Sequence, residues 1–70
     1  MRCMMSFGIY KPTPARATWQ VLTIPDREDA FVSSFRNEWQ TADFLSHWVS
    51  RETANDAVES ADLYGHASIG

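Results

Sequence analysis

Two Asp-x-x-x-His pairs, Asp43 with His47 and Asp62 with His66, are the residues best spaced for acid–base or metal chemistry. Residues four apart share a helix face, so each pair could set a carboxylate beside an imidazole. Both groups bind zinc, but a zinc site takes at least three protein ligands, and nothing in the spacing forces the pairs to meet. The simpler expectation is a solvated pair with its His near a helix C-terminus. Cys3 is the single cysteine, so neither an internal disulfide nor a cysteine cage can form within one chain. Nucleophilic catalysis needs a nucleophile held by a base and an orienting group. Cys3 has no base beside it, and Ser33, Ser34, Ser46 and Ser50 fall in helical patterns without a glycine-rich elbow. Gly8, Gly65 and Gly70 are too scattered for a phosphate loop. The expectation is a protein that is not an enzyme and holds no metal or cofactor.

The chain limits what could position such groups. Its 70 residues allow one small domain, residues 1–70, whose stability is marginal because a domain of this size buries a modest share of its surface. Hydrophobic residues make up 44% and charged residues 21%, a globular composition rather than a disordered one. A secreted domain this small usually carries several disulfides, so a reducing, cytoplasmic compartment is expected. Arg2, the apolar run 3–10 and Ala15-Arg16-Ala17 have the outline of a signal peptide. The run is short, broken by Ser6 and Gly8, and followed by Lys11, Pro12 and Pro14, which argues against one. No stretch approaches the length of a membrane span.

Residues 1–20 carry Arg2, Lys11 and Arg16 and no acid, whereas every acid lies from Asp26 onward. From Glu52 to the end there are four acids and no Lys or Arg. A nucleic-acid surface needs clustered cations to displace counterions, so direct nucleic-acid binding is not expected.

Residues 4–10 alternate, with Met5, Phe7 and Ile9 on one side, as in a half-buried strand. Lys11-Pro-Thr-Pro-Ala15 is a stiff connector. Residues 17–24 are β-rich and read as a second strand, paired with the first as an antiparallel hairpin. Asp26 then suits a helix cap, and Phe31, Val32, Phe35 and Trp39 follow helical spacing through Gln40. Thr41 caps a second helix with the stripe Phe44, Leu45, Trp48 and Val49. Thr53-Ala-Asn-Asp56 resembles a capping box, and Ala54, Ala57, Val58, Ala61 and Tyr64 line one side of a third helix ending at Gly65. The tail 66–70 reads as loose. The expected fold is α+β: an N-terminal two-stranded antiparallel hairpin followed by three helices, ββααα. Trp39 and Trp48 are expected in the core.

The third helix invites a functional reading. Leu63 falls opposite its alanine-rich side, among Asp56, Glu59 and Ser60, and an apolar residue inside an acidic surface suits partner binding. Asp56, Glu59 and Asp62 would steer a partner and Leu63 would anchor it. Trp19 is a further expected anchor, because its strand lacks clean alternation. The expected partner is a larger protein, one with an electropositive groove being a candidate, and a homodimer through the hairpin's open edge is also expected. A small dimeric DNA-binding regulator is the alternative, although its recognition helix would present Asn55, Asp56, Glu59 and Asp62. Another is an accessory subunit that completes a partner's sheet. In size, acidity and aromatic content the chain resembles the small inhibitor proteins of phages and mobile elements, anti-CRISPR proteins included. That resemblance is one of type, carries no residue roles, and implies a binding protein that inhibits or modulates a larger partner.

Overall fold

The computed structural model describes residues 5–70. Cys3 and Met4, and with Met4 the start of the expected first strand, lie outside the described residues. The order of elements is β1 (Met5–Tyr10), β2 (Trp19–Pro25), β3 (Phe31–Phe35), α1 (Glu38–Leu45), α2 (Arg51–Tyr64) and β4 (His66–Ile69). The strands form one antiparallel sheet in the order β3-β2-β1-β4. The fold is α+β as expected, but ββααα is overturned: among the described residues the sheet has four strands and there are two helices.

The β1–β2 hairpin is as the alternation suggests, with Phe7 opposite Thr23 and Ile9 opposite Val21. Its tip closes at Thr13-Pro-Ala-Arg16, where Thr13 and Arg16 exchange backbone hydrogen bonds. The Arg16 guanidinium donates to the Lys11 and Thr18 carbonyls and holds the loop shut. Both outer edges of this hairpin are occupied, by β3 and by β4. The edge expected to pair with another chain is therefore not free, and the sheet's open edges belong to β3 and β4.

The expected first helix is strand β3. Phe31, Ser33 and Phe35 share one side of it, and β-branched Val32 sits opposite Leu22. Asn37, two residues past the end of β3, starts α1: its Oδ1 accepts from the Gln40 N–H, and Gln40 Oε1 accepts from the Arg36 N–H. This reciprocal pair is a close variant of the capping box. Ser50, rather than Thr53, caps α2, its Oγ accepting from the Thr53 N–H. Gly65 ends α2 as expected, with φ 99° and its N–H on the Ala61 carbonyl. The tail is no loose end, because His66–Ile69 pairs with β1, Ile69 opposite Phe7 and Ala67 opposite Ile9.

The helices cover one side of the sheet. Phe7, Ile9, Trp19 and Val21 meet Ala42, Leu45, Ala54, Ala57, Val58 and Ala61 there. The alanines let α2 lie close on the strands, as the small-residue stripe suggests, although Tyr64 projects into solvent. At one end Phe35, Phe44, Trp48 and Phe7 form a chain of ring contacts with centroids 4.8–5.8 Å apart. No helix among the described residues is long and apolar enough to cross a membrane.

The acidic groove beside Trp39

The tryptophans divide against expectation. Trp19, expected as an exposed anchor, is 6% exposed and belongs to the core, because its strand turns it toward the helices beside Val21 and Thr23. Trp39, expected in the core, is 78% exposed. With α1 starting at Glu38, the side facing the sheet is Thr41, Ala42 and Leu45, and Trp39 falls off it. Trp48 lies in the α1–α2 connection, 40% exposed, with one face against Phe7 and Phe44, so it edges the core rather than filling it.

Trp39 stands at an open groove of about 470 Å³ between the helices. Ala42 and Val58 are its buried floor, and Asn55 stands on the α2 side. Glu38 of α1 and Glu59 and Asp62 of α2 complete the walls. The spacing is that of facing helices: Asn55, Val58, Glu59 and Asp62 recur at i, i+3, i+4 and i+7. The groove continues around Trp39 past Gln40, Asp43 and Arg51.

The cations near this surface already have partners. Arg51 donates to Asp43 Oδ1 at 3.1 Å. Lys11 donates to the Asp62 carbonyl at 2.9 Å and lies 4.0 Å from its carboxylate. That contact also places a cation at the C-terminal end of α2, which has no basic residue in its own last turn. Glu38 and Glu59 form no ion pair with the described residues. The result is an exposed indole beside carboxylates whose negative charge is not compensated.

The three acids expected to steer a partner do not share one site. Glu59 and Asp62 border the groove, whereas Asp56 lies over the seam between α2 and β4. Leu63 is exposed at 68%, consistent with its expected outward position, but it does not line the groove. The structure does not bring the two Asp–His pairs together with a third ligand among the described residues. Asp43 is taken by Arg51, and His66 lies on β4 stacked 6.0 Å from Tyr10. Among the described residues no cluster of His, Cys, Asp and Glu could hold a metal ion. The helical period expected across 31–40 hides the start of α1 at Glu38, and with it the places of Glu38 and Trp39. The signal lies in Asn37-x-x-Gln40, which puts Trp39 in a first turn.

Fold and groove together describe a small α+β domain with a helical layer on an antiparallel sheet. The chain matches no family model, no curated protein and no solved structure.

Proposed function

We propose that this protein is a small binding module that modulates a larger protein by receiving a Lys- or Arg-bearing segment of it in the groove between α1 and α2. The observation that supports this most is Trp39, an exposed indole beside Glu38 and Glu59. A large exposed ring is a typical interface anchor. Its face attracts ammonium and guanidinium groups, and adjacent carboxylates add to that attraction. Ala42 and Val58 supply an apolar floor for the methylene stem of the same side chain. A module of this kind would act on its partner by covering a basic surface, with Leu63 and Asp56 outside the first contact.

The test is a titration with an oligo-arginine peptide, followed by NMR, with an oligo-glutamate peptide of equal length as control. The expected result is a shift of the Trp39 indole N–H together with the amides of Asn55 and Glu59. Trp39→Ala should weaken binding about thirtyfold, the size of an interface hot spot, without changing the melting temperature. Shifts centred on Asp56 and Leu63, or equal binding by Trp39→Ala, would overturn the groove as the site.

A further inference from the structure

We propose that the open face of the sheet is the contact surface between two copies of this chain. The helices cover one side of the sheet only, and alternate strand residues point to the other. At its centre, Tyr10, Leu22, Ile24 and Val32 stand together: Leu22 pairs with Val32 and with Gly8, and Ile24 follows Leu22 on the same side. Tyr10 lies across Gly8, where a Cβ would meet its ring at 3.1 Å, so the glycine lets the ring lie flat on the strand. Around this centre are Ser6, Gln20, Ser34 and Ser68, which are polar and uncharged. His66, stacked on Tyr10, completes the outward positions. None of them is Asp, Glu, Lys or Arg, although a solvated antiparallel face usually carries such residues.

Depletion of charge around an apolar centre is the compositional mark of an interface core. Charge also selects the occupant. The chain has a formal net charge of −3. A second copy meeting α1 and α2 would bring like carboxylates together. The open sheet face lets two copies meet about a two-fold axis without opposing charges. Four strands about 4.8 Å apart and roughly 20 Å long give a face of ~400 Å². Two such faces make a contact smaller than a permanent dimer's, so the dimer exchanges and forms as concentration rises, in the range of tens to hundreds of micromolar. It would turn two Trp39 grooves outward.

Sedimentation equilibrium of the full chain between about 10 µM and 1 mM tests this, with NMR spectra over the same dilution. The expected result is a monomer–dimer equilibrium, with concentration-dependent shifts at Tyr10, Leu22, Ile24 and Val32 and none around Trp39. Val32 is 56% exposed and Ile24 is also exposed, so Ile24→Lys with Val32→Lys should keep the fold. That variant should weaken association at least tenfold, with an unchanged circular dichroism spectrum. A strict monomer at 1 mM would overturn the proposal. So would dimer-dependent amide protection confined to the open edge of β3, which would mean strand addition, or shifts centred on α2. The dilution series reads the parent chain itself, so the proposal stays testable if the double variant does not fold.

Discussion

On the helical side, α1 carries Glu38 and Asp43, and α2 carries Glu52, Asp56, Glu59 and Asp62, against Arg51 alone. On the open side of the sheet, the outward positions of all four strands carry no carboxylate, ammonium or guanidinium. Both surfaces expose large apolar groups: Trp39, Leu63 and Tyr64 on the first, Tyr10, Ile24 and Val32 on the second. Exposed apolar area therefore does not tell them apart. Charge does, and it assigns them different occupants. An acidic surface gains from a cationic partner and repels its own kind, whereas a neutral one tolerates a copy of itself.

The layer between the two faces should show the largest effect. Trp19→Ala should cost about 3–5 kcal/mol, the usual range for removing a large buried ring, and a domain of this size has little stability to spare. Trp39→Ala should stay within about 0.5 kcal/mol, because it removes an exposed side chain and places a good helix former in a first turn. Thermal or urea unfolding of the two variants checks this. Comparable losses would mean that Trp39 is covered in solution and that the groove is not open.

A smaller effect belongs to Thr23, which is fully buried on the sheet's inner side between Phe7 and Phe31. Its Oγ1 has no hydrogen-bond partner among the described residues. A buried unpaired hydroxyl carries a desolvation cost, and valine has nearly the same shape without it. Thr23→Val should therefore raise stability by about 1 kcal/mol. A loss instead would show that the hydroxyl is hydrogen-bonded and that the inner side is wetter than its packing indicates.

The contrast between the faces was only partly legible in the sequence. The β1–β2 hairpin, the alanine side of α2 and the stop at Gly65 were readable, because each rests on a local pattern with one physical meaning. Phe31 and Phe35 were not, since residues four apart share a side in a helix and in a strand alike. Taking the helical period there moved the next helix start and turned Trp39 inward. The fourth strand was hidden for another reason. His66-Ala-Ser-Ile69 is too short to show a period, and β1 supplies its pairing. Without β3 and β4 the hairpin has two free edges, and the neutral outer face, which takes residues from all four strands, cannot be assembled. For the groove, Glu59 and Asp62 were found from charge alone, whereas Glu38 and Trp39 depended on where α1 begins.

The finest test of the comparison is salt. The two contacts should respond to it with opposite sign. Binding of a cationic segment beside Glu38 and Glu59 draws on attraction between opposite charges, which added salt screens. Its affinity should fall when ionic strength rises from about 0.05 to 0.5 M, mainly through slower association. Self-association brings together two chains that each carry a formal charge of −3 across a face with no charged pair to lose. Screening then weakens only the overall repulsion, so the dimer should tighten a few-fold over the same range. Peptide titration and sedimentation equilibrium, run in matched buffers, measure the two slopes. Slopes of the same sign would mean that one surface serves both contacts. A dimer that weakens with salt would point to pairing between acidic α2 of one copy and a basic element of the other.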